Sequence, residues 1–167
     1  MTSLWNKLSE KETIWLTFWL TIAETICFGL VMWWWEFTVI DEMFEAEEIA
    51  THIGNMTLQQ RNVHIWMTAT LDVLYPFTYS SFFLGVAIRA FKGHWLAILP
   101  TLLCVPTDLT EGYAQVMLLS GHKDFMAIKT TATPLKLLLF GTALIITILG
   151  AARLWLEPAR GTGKKQS

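Results

Sequence analysis

Four stretches of apolar sequence, at about 13–35, 63–91, 95–120 and 130–156, take up most of the 167 residues. Each is long enough to cross a hydrocarbon core about 30 Å thick at about 1.5 Å rise per residue. Lipid offers no partners to backbone N–H and C=O groups, so such segments have to be helical. The chain is therefore predicted to be all-α: an integral membrane four-helix bundle forming a single domain over 1–167. The spans leave no length for a soluble catalytic module. With 53% hydrophobic and 16% charged residues, the composition agrees with this reading, because a soluble domain carries about 25% charge.

The first stretch is too long for a signal-peptide core and no small-residue cleavage site follows it, so it is expected to stay attached as a helix. Lys7 and Lys11 precede it, Arg89 and Lys92 flank the turn after the second stretch, and Arg153, Arg160, Lys164 and Lys165 follow the fourth. The segment after the first stretch instead carries Glu36, Asp41, Glu42, Glu45, Glu47 and Glu48 against Arg61. The positive-inside rule then places both termini in the cytoplasm, in the inner membrane of a bacterium; Lys123 and Lys129 in the last loop run against this bias. The short Lys92-Gly93-His94 turn makes the second and third spans antiparallel neighbours. The tail, 158–167, is expected to be disordered.

Between the first two spans, Ile40, Met43, Phe44, Ala50 and Ile53 recur near helical spacing among acids, which predicts a short amphipathic helix on the outer membrane surface. Its acids read as a solvated face. The tryptophans at 33–35, with Trp66 and Trp95, sit where indoles anchor helices at the headgroup level. Cys27 and Cys104 are the only cysteines, too few for a disulfide framework, and neither has His at zinc-ligand spacing. A net charge of −2 excludes an electrostatic nucleic-acid footprint.

Read at intervals of three and four, each span shows one polar face. The first has Thr17, Thr21, Glu24 and Phe28; the second Thr68, Asp72, Tyr75 and Tyr79. The third has Cys104, Asp108, Glu111 and Gln115; the fourth Thr133, Lys136, Phe140 and Thr147. In lipid such faces turn inward, so the four stripes are expected to meet. Glu24, Asp72, Asp108 and Glu111 lie at similar depth, roughly 13–18 Å from the outer end at about 1.5 Å per residue, with Lys136 nearer that end. A charge at the centre of a membrane helix costs about 2.5–3.5 kcal/mol. Those four carboxylates must then be protonated, hydrogen-bonded to one another and to Tyr75, or paired with Lys136. Pro76 and Pro106 each free a carbonyl beside a carboxylate, and either open the bundle locally or are simply tolerated, as prolines are in membrane helices.

The motifs LDVLYP, PTDLTEGYAQ and TTATPLK, within residues 68–150, resemble an uncharacterised group of small bacterial four-helix membrane proteins. The matching positions are Asp72, Tyr75, Pro76, Asp108, Leu109, Glu111, Thr133 and Lys136; Gly112 stands where that group has Asn. The resemblance implies a fold and no activity. The architecture and acid layer are also similar, as analogy alone, to the sterol isomerase and sigma-2 receptor superfamily, whose four-helix bundles place buried acids around a lipid-sized pocket.

Four acids against one lysine are too unbalanced for packing alone, which points to a ligand, a proton or a cation. The reading adopted is a pocket that binds a small lipidic or cationic ligand, with acid/base chemistry of the isomerase type as its catalytic version. Glu111 and Asp108 are the acid/base candidates; Asp72, Glu24, Tyr75, Tyr79, Gln115 and Lys136 are the ligand-binding ones. No metal ligand is assigned and the cofactor is left open. One alternative is an accessory subunit of a larger membrane complex, or a homo-oligomer. The other is a proton or divalent-cation pathway, since an all-oxygen site suits hard cations. The lipid bilayer is the one partner common to all three.

Overall fold

A computed structural model describes residues 2–156. They form six α-helices, α1 (Thr2–Leu8), α2 (Lys11–Trp35), α3 (Ala46–Asn55), α4 (Leu58–Phe91), α5 (Trp95–Leu119) and α6 (Met126–Leu156). A single 3₁₀ turn, Lys123–Phe125, leads into α6, and no strand occurs among the described residues. The all-helical expectation holds, and the predicted tail lies outside the described residues.

Three helical stretches are long and apolar enough to cross a membrane: α2, α4 and Lys123–Leu156. The expected fourth span, α5, does not reach that level. Its Asp108, Glu111 and Gln115, with Pro100 and Pro106, dilute the apolar residues of an otherwise adequate length. α5 is instead the interior helix, packed between α4 and α6. α2 turns its apolar residues outward: Thr17 is its one buried residue, whereas Trp19, Leu30, Trp33 and Trp34 are exposed. A surface of that kind suits lipid and is costly in water.

Helix boundaries follow local chemistry. α4 begins at Leu58, ahead of the predicted 63, because Thr57 caps it: the Thr57 hydroxyl accepts from the Gln60 N–H while the Gln60 side chain accepts from Thr57 N–H. The Gln60 amide also donates to the Glu36 carbonyl at 2.9 Å, which ties the end of α2 to the start of α4. α6 begins at Met126, ahead of the predicted 130, and so takes Lys129 into its first turns. α4 and α5 continue as helix through Pro76 and Pro106. Lys92 (φ 54°) and Gly93 (φ 73°) make the left-handed turn that sets α4 and α5 antiparallel.

The amphipathic helix between the first two spans is present as α3, with Ile49 buried. Ile40 and Met43 lie before it, in the 36–45 segment, and Phe44 and Ala50 are exposed. Ile40, Ile49 and Met56 form a small core with Leu118 and Leu119 of α5, so this end of the helix assembly is covered. His52 Nε2 meets the Thr38 carbonyl at 2.8 Å and Arg61 donates to the Ile53 carbonyl at 2.8 Å, pinning the cover from two sides. At the opposite end Gly85 admits the α1–α2 turn: a Cβ there would lie 2.5 Å from the Leu8 carbonyl oxygen. Gly150 of α6 packs against Ala90 and Phe91, so both terminal regions of the described chain sit at that end.

Candidate functional site

Two polar regions occupy the covered end of the molecule. The first is a charge network between α5 and α6. Asp108 and Glu111, three residues apart on α5, face Lys129, Thr133 and Lys136, which recur at four and three residues on α6. Glu111 has no exposed surface. One of its oxygens, Oε1, accepts from Lys129 Nζ at 2.8 Å and from the Thr133 hydroxyl at 2.6 Å; the other, Oε2, pairs with Lys136. Lys129 is fully buried too, and its ammonium also donates to Thr133 Oγ1 at 2.5 Å. Lys136 reaches Asp108 Oδ1 at 3.4 Å and Asp41 Oδ2 at 3.6 Å. The Tyr79 hydroxyl donates to Asp108 Oδ2 at 2.8 Å and lies 3.2 Å from Cys104 Sγ. The first polar region therefore links three carboxylates to two ammonium groups, with a hydroxyl at each margin.

The second region is a cavity of about 370 Å³ between α2, α4 and the 36–45 segment. α2 contributes Thr25, Phe28, Gly29 and Met32; α4 contributes Met67, Thr68, Asp72 and Tyr75. Val39, Asp41 and Glu42 complete the wall. Asp72 makes neither a hydrogen bond nor a contacting ion pair among the described residues; its electrostatic neighbours are Asp41, Asp108, Glu111 and Lys136. Its Oδ2 faces Gly112, where an added Cβ would sit 3.4 Å away in ordinary contact. Thr68 is 3% exposed; its methyl is turned to the same glycine, and its hydroxyl makes no hydrogen bond. The Tyr75 hydroxyl meets Thr25 Oγ1 at 3.1 Å, and its ring packs edge-on to Phe28 and Tyr79. Asp41 belongs to both regions: its carboxylate reaches Lys136, its backbone carbonyl lies 3.5 Å from Lys129 Nζ, and it lines the cavity.

Of the residues singled out from the sequence, Asp108, Glu111, Tyr79 and Lys136 come together, and Asp72 and Tyr75 face the adjoining cavity. Gln115 is buried one turn beyond Glu111, and neither of its amide atoms has a partner among the described residues. Glu24 is not brought to this layer. α2 packs chiefly on α4, and Glu24 Oε1 accepts from Thr78 of that helix at 3.1 Å, with no ion pair to either lysine. The four stripes thus do not converge on one centre: α2 contributes to the cavity through Thr25 and Phe28 and stands apart from the ion pairs.

Lys129 and Asp41 join a site for which the sequence reading did not nominate them. The predicted helix start at 130 leaves Lys129 in a loop; the i, i+4, i+7 spacing of Lys129, Thr133 and Lys136 is the signal that includes it. Asp41 lies in irregular backbone among six acids, and no local pattern marks it. His64 is fully buried against Phe37, and neither ring nitrogen has a partner among the described residues. No group of three or more His, Cys, Asp or Glu side chains among the described residues is placed to hold a metal. No family model matches the chain, and neither a curated protein nor a solved structure does.

Proposed function

We propose that the protein is a four-span protein of the bacterial inner membrane, with both termini cytoplasmic, whose cavity between α2, α4 and the 36–45 segment binds a small lipidic cation. In this reading α5 crosses the bilayer as well, its polar face screened from lipid by α4 and α6. The observation that carries the proposal is Asp72: a carboxylate without a hydrogen bond or contacting ion pair, on the wall of a 370 Å³ cavity that also displays the free hydroxyl of Thr68. A charged group at that depth is costly unless a counter-charge reaches it. Both nearby lysines are engaged by Glu111, so a ligand ammonium is the complement Asp72 lacks. Phe28, Met32 and Met67 supply apolar walls for the rest of the molecule.

The isomerase-type version routes proton transfer through Glu111 and Asp108. Binding is the reading favoured here, because Glu111 is enclosed by two lysines and Thr133, and Asp108 by Lys136 and Tyr79. The accessory-subunit alternative draws support from the same network, whose linked charges, three negative and two positive, are closer to balance than the four acids and one lysine counted from sequence. The two readings separate by thermal unfolding of purified protein with octylamine, wild type beside Asp72→Asn. Binding at 100 times Kd stabilises by about 2.7 kcal/mol, so the wild type should melt at a clearly higher temperature with the amine and Asp72→Asn should not respond. An equal response in both proteins removes Asp72 from the site; no response in either leaves the subunit reading.

A further inference from the structure

The cavity has two margins of opposite character, and they identify the shape of its occupant. Over the 36–45 segment it is roofed. Ile40 is fully buried in the core beneath α3, the Thr38 and Glu36 carbonyls are tied to His52 and Gln60, and Asp41 is held by Lys136. On the α2 side there is no such closure. Gly29 both lines the cavity and is exposed, and a Cβ added there would meet nothing within 4 Å. Its neighbours along the outer face of α2, Ile26, Leu30 and Trp33, are exposed apolar side chains. Gly29 therefore marks an open margin of the cavity beside an exposed apolar face of α2.

The polar groups left for a ligand are equally selective. Asp72 and the Thr68 hydroxyl both lack protein partners and can accept hydrogen bonds. A primary ammonium has three N–H donors to offer them; a quaternary ammonium has none and relies on an aromatic cage. Here the rings are only Phe28 and Tyr75, set edge-to-face rather than around a common centre. A volume of 370 Å³ holds about 12 groups of water size, at about 30 Å³ each, so a long chain cannot be enclosed.

Resting on the cation-binding reading above, we propose that the occupant is a primary alkylamine. Its ammonium donates to Asp72 and Thr68, and its chain leaves over Gly29 between α2 and the bilayer. The cavity is loaded sideways from the membrane.

The test uses the full chain in phospholipid nanodiscs, with binding followed by thermal shift for octylamine, hexadecylamine and hexadecyltrimethylammonium. Wild type should bind both primary amines, with the trimethyl compound at least tenfold weaker. Gly29→Phe should lose hexadecylamine at least tenfold while keeping octylamine. Gly29→Leu repeats the test with a smaller plug, and Gly141→Phe, at a glycine of α6 whose Cβ would also meet nothing within 4 Å, should bind all three compounds as wild type does. Equal binding of both chain lengths by the Gly29 variants overturns the sideways path, and equal affinity for the trimethyl compound overturns N–H donation. Either result leaves the cation site standing. Retention of all amine binding by Asp72→Asn, by contrast, removes the underlying reading together with this one.

Discussion

Glu111 and Asp72 lie on adjacent helices of one molecule and are treated in opposite ways. Glu111 is fully buried and has a lysine on each oxygen, with Thr133 adding a hydroxyl. Asp72 is half-buried and has no bonded partner. A buried charge with good partners on every lone pair is a structural element: its desolvation cost is offset locally, and its removal leaves the partners stranded. A carboxylate facing a cavity with its counter-charges committed elsewhere is available to something else. Residue type does not separate these two acids. Their surroundings do.

The sharpest way to break this contrast is to compare Lys129→Met with Asp72→Asn in reversible unfolding of the detergent-solubilised protein. Lys129→Met should cost up to about 3–5 kcal/mol, the usual penalty for breaking a buried pair, with Lys136 and Thr133 still on Glu111. Adding Glu111→Leu to it should recover part of that loss, since the under-paired buried carboxylate is then gone and Lys136 keeps Asp108 and Asp41. Asp72→Asn should change stability by less than about 1 kcal/mol, or raise it, because it removes an unpaired charge. Comparable losses from the two single variants would mean that Asp72 is as structural as Glu111.

A second contrast lies between the tyrosines that border the two regions. Tyr79 is 1% exposed and donates to the Asp108 carboxylate, so Tyr79→Phe should cost about 1.5–3 kcal/mol, as for hydrogen bonds to charged groups. The Tyr75 hydroxyl meets only Thr25, a neutral partner, and Tyr75→Phe should cost no more than about 0.5–1.5 kcal/mol. Thermal melts of the two variants in one detergent order them directly, and a reversed order would shift the structural weight to the cavity side.

Two glycines extend the comparison to the backbone. Gly85→Ala drives a methyl into the Leu8 carbonyl and Ile14, and should destabilise by about 1–3 kcal/mol as overpacking. Gly29→Ala places its methyl in open space on a helix and should stabilise by about 0.5–1 kcal/mol, the ordinary gain of alanine over glycine in a helix interior. A loss at Gly29 in the absence of ligand would show that its gap is filled by packing rather than open to lipid.

Much of this is written along the chain. Apolar blocks of span length predict helices, and period-3.6 polar stripes place Asp108, Glu111, Gln115, Tyr79 and Lys136 inside, because helical geometry converts spacing into facing. The Lys92-Gly93 turn predicts the α4–α5 pairing. The short helix between the first two spans is legible in part: Ala50 and Ile53 of the predicted pattern lie within it, whereas Ile40, Met43 and Phe44 precede it. These are local properties, settled by the sequence within a few turns of helix.

What the sequence could not settle was which stripes meet. Polar spacing on α2 places Glu24 on an inward face, yet α2 packs chiefly on α4, and that face ends at Thr78 and Tyr75. The helix start at Met126 turned a loop lysine into the buried partner of Glu111, and a segment with no periodicity carried Asp41 back to Lys136. Those pairings cross 18 residues of chain in one case and 95 in the other, and only tertiary packing sets such distances. Composition and spacing alone require carboxylates inside an apolar helical protein. The tertiary structure decided that Glu111 is neutralised and that Asp72 is left facing a cavity, because a charge's cost is set by what stands within a few ångströms of it.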